Sequence, residues 1–504
     1  MTLEKDGMEK IATGAGIVIL GIVISKILGY LYRVIVARTG TEPYGLLSLG
    51  LAILGIIITF SLLGLETGVL RYVSFYKSKN DSSKMKSTIL SALKIALPLS
   101  IIFSTITFIF AEWISITFFH NSLLKPIIQI IAISAPFDVL AIILFHINRA
   151  FQVVRYEVIL KQIGENILKI VFLLIFILMG EMFLGPSLAY TLSIIVVTIL
   201  ILFFTLKKIF NFAEKSIAYQ PMYKKIFSFS WPLVLTHFLV MIMAWVDTIM
   251  IGYFKDAQEV GIYNAAIPTA QILYMIPYAF SFLFIPVLTD LYAKKEWTSL
   301  NNLLSTTTRW IFIINMIPLV IFTSLAPEVV LTLFGKEYGM AAIPLIILSL
   351  GYFMNYLVIN STNTLIIFEK TKWIFIDLLF GTVLNIVLNL MLIPRYGSIG
   401  AASATAISFG FLGILYGIQA KRLTKVKILE NTHIKILLAA ILAFIVMMWI
   451  KNTFHLQKAF LTLIISTSIF CVVYGICLFI FKGLKKEDRA LLEEVKVRLK
   501  KMRG

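Results

Sequence analysis

Residues Ser25–Ile53 read SKILGYLYRVIVARTGTEPYGLLSLGLAI. Two apolar runs meet there across the polar break ARTGTEPYG. The first begins near Ile11 and continues for about 27 residues, and the second carries on to Leu70. A hydrocarbon core roughly 30 Å thick takes about 20 residues of helix, so each run is long enough to span. The first is too long for a signal peptide and lacks a small-x-small cleavage site, so it is expected to stay as a span. Lys26, Gly29, Tyr30 and Arg33 follow i, i+3, i+4, i+7 and share one helical face. Two cations on one face of a greasy helix call for a polar partner.

The same pattern fills the chain. Of 504 residues 59% are hydrophobic and 14% charged, with a mean hydropathy of +0.94, against roughly 25% charge in soluble proteins. The reading is an all-α integral membrane protein of fourteen spans, near 11–37, 44–70, 89–110, 126–148, 156–179, 185–206, 230–254, 260–288, 306–325, 339–367, 373–394, 397–420, 433–450 and 459–481. The eleventh and twelfth are separated only by the tight turn PRYG. Loops after even-numbered spans hold the cations. They include Arg71, Lys77, Lys79, Lys84 and Lys86, then Lys207, Lys208, Lys215, Lys224 and Lys225, and finally Lys421, Arg422, Lys425 and Lys427. The opposite loops carry one or two each, such as Lys125, Lys255 or Lys336. The positive-inside bias puts both termini in the cytoplasm of a multi-pass protein. The net charge of +19 is dispersed over short loops, with no basic domain for nucleic acid. Cys471 and Cys477 share the last apolar run and read as small core residues rather than a disulfide or metal pair.

Halving the chain exposes a duplication at a spacing of about 216 residues. VIVARTGTEPYGLLSLGLAI at 34 lines up with MIGYFKDAQEVGIYNAAIPT at 250, placing Gly45 on Gly261. VSFYKSKND falls on TDLYAKKEW, AEWISITFF on APEVVLTLF, and IGENILKIVFLLIFILMG on FGTVLNIVLNLMLIPRYG. Each unit has an even number of spans, so both share one orientation. Two parallel six-helix lobes with a substrate cavity between them are expected, a transporter architecture. The lobes are read as 1–215 and 216–432, with an extra helix pair at 433–481 and a basic amphipathic tail at 482–504. Leu491, Leu492, Val495 and Leu499 give that tail an apolar face suited to lying on anionic membrane lipids.

Twelve spans in two lobes plus a terminal pair resemble the multidrug/oligosaccharidyl-lipid/polysaccharide exporter superfamily. Within it, SKILGYLYRVIVARTGTEPYGLLSL looks like the first-span signature of polysaccharide-type (Wzx-like) flippases, and VDTIMIGYFKDAQEVGIYNAA like its second-lobe counterpart. The resemblance implies a non-enzymatic protein of a prokaryotic cell membrane. It implies outward movement of a polyprenyl-(pyro)phosphate-linked oligosaccharide by alternating access, for polysaccharide or glycoprotein glycan assembly, alongside glycosyltransferases of the same pathway. Lipid II flippases typically carry an Arg-Asp pair beyond the LG of the first span. Here Tyr32 and Arg33 stand there, which favours another glycan.

Ionisable groups inside spans cost about 3 kcal/mol or more, so each is a candidate for function. Lys26 lies about 20 Å from the cytoplasmic start of its helix, and Lys169 is about as deep in the fifth span. Lys26, Arg33 and Lys169 are expected to bind the phosphate, with Arg71 and Arg149, at cytoplasmic span ends, capturing it first. Lys161, Glu165 and Lys169 form a stripe at i, i+4, i+8, so the alternative is that these cations pair with Glu165 or Glu66 and hold helices together. Lys26 and Arg33 fall on apolar positions of the second repeat, whose own ionisable groups are Asp247 and Asp377. Asp247, Asp138 and Glu165 are candidates for gating or for taking up Na⁺ or H⁺, the sole cofactor-like ligand expected. His146 and His237 titrate in a useful range but read as hydrogen-bonded spacers.

A cation-coupled multidrug exporter of the same superfamily is the nearest rival; such proteins usually have twelve spans and acidic cavities. A membrane-embedded glycan-assembly enzyme would need a sizeable surface loop with clustered carboxylates or His, and the loops here are short and basic. No nucleotide-binding loop is found.

Overall fold

The computed structural model describes residue 21 and residues 23–357, 359–424, 431–454 and 458–483, apart from the side chains at 276, 279, 282, 283 and 356. The expected amphipathic tail beyond Gly483 and the start of the first span lie outside these residues. Every regular element among the described residues is helical. Helix α1 covers residues 23–37. It is followed by α2 (Thr41–Leu62), α3 (Leu65–Ser78), α4 (Ser82–Ile109) and α5 (Leu124–Ala150). A π-helical turn at Glu157–Gly164 leads into α6 (Glu165–Leu178), then α7 (Gly185–Phe204), α8 (Tyr223–Phe254), α9 (Ala257–Ala270) and α10 (Ile272–Ala293). Next come α11 (Trp297–Ser324), α12 (Ala326–Leu333), α13 (Ala342–Leu357) and α14 (Ile359–Ile367). The run closes with α15 (Thr371–Thr424), α16 (Asn431–Phe454) and α17 (Ala459–Ile480).

Ten helices among the described residues are long and apolar enough to cross a membrane. Among the described residues the expected spans fall mainly on helix, the first only over its second half, and several are divided or joined. The eighth is split into α9 and α10, and the fifth begins with the π turn. The eleventh and twelfth run together as α15, which contains Gly397 at φ 55°. A Cβ on Gly381 would meet the Leu412 side chain at 2.7 Å, and one on Gly400 would meet the Leu392 carbonyl at 2.4 Å. Residues eight or more apart on one straight helix cannot touch in this way, so the chain folds back at Gly397, where the sequence reads PRYG. The second span also ends early: Leu63 and Gly64 are both left-handed (φ 48° and 73°) and interrupt it before α3. At the head of α4, Asp81 accepts the Lys84 N–H at 2.9 Å, an N-cap. That bond holds the Asp81 carboxyl below the ordinary carboxylate range.

The surface is apolar where a soluble protein would be polar: Leu178 and Trp449 are 87% and 68% exposed. Ser100, Asn148 and Asn389 are buried. Lipid as the solvent accounts for this inversion.

Two compact units are present, Met1–Ala265 with Asn385–Ala401, and Ala266–Leu384 with Ala402–Gly504. The first has a core built from Leu65, Val69 and Val73 of α3, Ile89 and Ala92 of α4, Leu144 and Ile147 of α5, Ile201 of α7 and Ile226 of α8. In the second, the terminal pair is fastened by Lys451 to Glu328 at 2.6 Å, and by the Tyr474 hydroxyl donating to the Ile313 carbonyl at 3.0 Å.

The first unit includes α8 and α9 as far as Ala265, which the sequence repeat assigns to its second half, because this part of α9 packs directly on α2. A Cβ on Gly45 would lie 1.7 Å from the Ala257 carbonyl oxygen, and one on Gly261 would lie 2.0 Å from that of Thr41. Thr41 and Ala257 are themselves 216 residues apart, as are the two glycines. Residue i thus touches j′ while j touches i′, the signature of a two-fold relation. Glycine is required at both positions because backbone meets backbone.

Candidate functional site

Glu165 and Lys169 of the charged stripe are buried, and Lys161, in the π turn before them, is half-buried. Glu165 takes Lys161 at 2.8 Å and Lys169 at 2.5 Å, so both predicted i, i+4 pairs form. The Lys169 ammonium also sits 4.4 Å from the centre of the Tyr190 ring. The Tyr190 hydroxyl donates to Asp138 at 3.5 Å. Asp138, Glu165 and Lys169 are 3%, 5% and 9% exposed. Two ammonium groups and two carboxylates therefore share one pocket across α5, the π turn, α6 and α7. Burying Asp138, Glu165 and Lys169 costs several kcal/mol per ion before attraction offsets it, whereas Lys161 keeps part of its hydration. Such a cluster is better explained by a need to fix or switch a geometry than by stability alone.

Helix α1 lies against α6, with Asn166 donating to Ser25 at 3.2 Å and Gly29 facing the Asn166 amide oxygen. Lys26 is exposed on α1 and Arg33 is half-buried. Arg33 hydrogen-bonds the Tyr44 hydroxyl, which itself donates to the Asn264 carbonyl at 2.9 Å. This puts Arg33 beside the glycine crossing of α2 and α9. Among the described residues no carboxylate pairs with Lys26 or Arg33.

The remaining predicted cations are engaged elsewhere. Arg149 makes a bidentate pair with the buried Glu157, one bond being 2.6 Å. Arg71 stacks on Phe229, its guanidinium 4.4 Å from the ring centre. The structure thus brings Asp138, Glu165 and Lys169 together, while Arg149 pairs with Glu157 and Arg71 stacks on Phe229.

Asp247 of α8 has its own surroundings. It is 5% exposed, accepts the Tyr263 hydroxyl at 2.5 Å, and accepts the Asn389 amide at 2.6 Å. The same amide nitrogen donates to Asn385 at 3.1 Å, while the Asn389 amide oxygen is buried without a partner. A carboxylate with two amide oxygens at hand offers the hard oxygen donors that a small cation prefers. Tyr263, Asn385 and Asn389 were missed by sequence reasoning. The available signal was the i, i+4 pair of Asn residues in the apolar stretch NIVLNLML, which places two amides on one face. Glu66, directly after the α2–α3 break, pairs with His237 at 3.4 Å rather than with a lysine.

Residues 11–292 match the family described as polysaccharide biosynthesis protein, and residues 232–391 match the MatE family. An uncharacterized membrane protein of Methanocaldococcus jannaschii is 26% identical over 503 residues, covering 95% of this chain and 96% of its own. The lipid II flippase MurJ of Bacillus subtilis is 24% identical, covering 93% and 95%. The probable flippase AglR of Haloferax volcanii is 31% identical over 185 residues, 35% of this chain and 37% of its own. Among solved structures, a lipid II flippase MurJ in an inward closed conformation superimposes with a TM-score of 0.72 at 18% identity, covering 92% and 98%. An inward-facing multidrug resistance MATE family transporter gives 0.69 at 15%, covering 80% and 94%.

Proposed function

This chain belongs to the polysaccharide biosynthesis protein family, and from that premise we propose that it moves a polyprenyl-(pyro)phosphate-linked oligosaccharide from the cytoplasmic to the outer leaflet. It is a flippase-type member of the multidrug/oligosaccharidyl-lipid/polysaccharide exporter superfamily and not an enzyme. The reading takes fourteen spans in two parallel lobes, both termini in the cytoplasm of a prokaryotic cell, and pathway glycosyltransferases supplying the substrate.

One observation carries the substrate class. Lys26 and Arg33 lie on one face of α1, and among the described residues neither has a carboxylate partner. An uncompensated cation in a span is expensive, and an anionic headgroup in transit is the counter-charge that offsets it. Arginine supplies two parallel donors to phosphate oxygens and lysine a point charge. Lys169 joins them by exchanging Glu165 for phosphate, and Arg71 and Arg149 act earlier, at the cytoplasmic ends of their helices. Asp247 takes up the coupling ion, Na⁺ or H⁺. Rotating the Asn389 amide would turn its unpartnered oxygen toward a bound cation. Asp138 and Glu165 gate the other lobe.

The test is reconstitution in proteoliposomes with a fluorescent lipid-linked oligosaccharide loaded in one leaflet. The proposal expects protein-dependent appearance of the glycan in the opposite leaflet. The multidrug reading draws on the MatE match, and it expects efflux of cationic dyes with no glycan movement.

A further inference from the structure

The second unit holds a polar recess that the transport reading does not use. It lies where α11, α14 and the last turns of α15 meet, at the end of those helices that carries the basic loops. It is open to the surface, and its lining includes Thr308, Asn360, Ser361, Thr364, Lys421 and Thr424. No acidic residue lines it.

The hydrogen bonds show what the recess lacks. The Asn360 amide donates to Thr307 at 2.9 Å and Thr308 at 3.0 Å. Thr364 donates to the Asn360 carbonyl at 2.7 Å, and Thr424 to that of Ala420 at 2.9 Å. Two hydroxyl protons are left over. Ser361, 4% exposed, makes no hydrogen bond among the described residues. Thr308, 7% exposed, accepts from Asn360 but donates to nothing described there. Both residues line the open recess, so their hydroxyls are available to a ligand. The third donor is the Lys421 ammonium, exposed at the rim and without a carboxylate partner among the described residues. Two hydroxyls free to donate and one ammonium, in a recess with no carboxylate among its lining residues, suit an oxyanion with several oxygens.

We propose that the recess between α11, α14 and α15 is a phosphate-binding site, separate from α1, in which the Ser361 and Thr308 hydroxyls and the Lys421 ammonium hold three phosphate oxygens. The recess opens beside Lys421 and Arg422 at a membrane-interface end, where headgroup phosphates are concentrated and basic pockets between helices capture them. Bare inorganic phosphate presents the same oxygens.

The experiment uses purified full-length protein, stripped of lipid in neutral detergent, titrated calorimetrically with dioctanoyl phosphatidic acid, with dioctanoylglycerol, and with inorganic phosphate as competitor. Phosphatidic acid is expected to bind one recess per chain and dioctanoylglycerol to bind without saturation. Ser361→Ala and Lys421→Gln should each weaken phosphatidic acid at least tenfold. Lys372→Gln, a basic-loop change away from the recess, should leave it within twofold. Competition by millimolar phosphate identifies the bare ion as sufficient; its absence identifies the headgroup with its chains. Equal binding of the two lipids, or undiminished phosphatidic acid affinity in both recess variants, would overturn the proposal. So would equal losses in all three variants. Lys421 is at the surface, so its variant stays informative even where Ser361→Ala disturbs packing.

Discussion

Replacing Glu165 with Gln probes the charge cluster directly. The carboxylate is 5% exposed and holds Lys161 at 2.8 Å and Lys169 at 2.5 Å. Gln keeps the volume and removes the charge, leaving two ammonium groups with Asp138 as the remaining carboxylate of the cluster. Removing one partner of a buried pair costs about 3–5 kcal/mol because the other charge is stranded. The Lys161 side chain is 33% exposed and retains some water, which places the expected loss near the lower figure, about 3 kcal/mol. Lys169→Met alone should cost about 1 kcal/mol, since Glu165 keeps Lys161 and a buried pair replaced by apolar groups is often nearly neutral. The double variant should then be more stable than Glu165→Gln alone, by about 2 kcal/mol. The assay is chemical unfolding in mixed micelles for the wild type, both single variants and the double. Additive effects, within about 0.5 kcal/mol, would refute the reading of Lys169 as the counter-ion of Glu165.

The helix crossing and the Asp247 carboxylate give further expectations. Gly261→Ala must move a carbonyl from 2.0 Å to an ordinary contact of at least 3.4 Å, and Gly45→Ala one from 1.7 Å. Both should lower folded yield and thermal stability sharply, while Gly410→Ala, with open space around it, should not; size-exclusion and thermal-shift measurements decide. Asp247→Asn should weaken the dependence of glycan transfer on an imposed Na⁺ or H⁺ gradient in proteoliposomes, and an unaltered gradient response would count against coupling there. Asn389→Leu removes an amide that donates to the Asp247 carboxylate at 2.6 Å. It should reduce the gradient response in the same direction, with normal membrane insertion as the control.

Much of the fold was legible because lipid makes the hydrophobic signal strong. Among the described residues the expected spans lie mainly on helix, and the turn at PRYG is the Gly397 fold-back. The 216-residue spacing reappears as the reciprocal contact of Gly45 with Gly261. Hydropathy carries no signal for breaks inside a span, so the left-handed pair Leu63–Gly64 and the π turn at Glu157–Gly164 were read as continuous helix. The site was half legible. The i, i+4, i+8 stripe announced both salt bridges of Glu165, since helix geometry alone brings those side chains together. The partners Tyr190, Tyr44, Tyr263 and Asn389 come from other helices and depend on tertiary packing. The pairing of Arg149 with Glu157 crosses the turn that follows α5 and was likewise unseen.

The central claim is that Lys26 and Arg33 of α1, which have no carboxylate partner among the described residues, exist to bind a phosphate. The most direct test is the affinity of the purified protein for a polyprenyl pyrophosphate, measured over a salt series. Wild type should bind with a clear salt dependence. Lys26→Ala should lose at least tenfold in affinity with a shallower salt slope, Lys26→Arg should retain most of it, and Lys26→Ala with Arg33→Ala should abolish saturable binding. Wild-type affinity and salt slope in the doubly substituted protein would contradict the account.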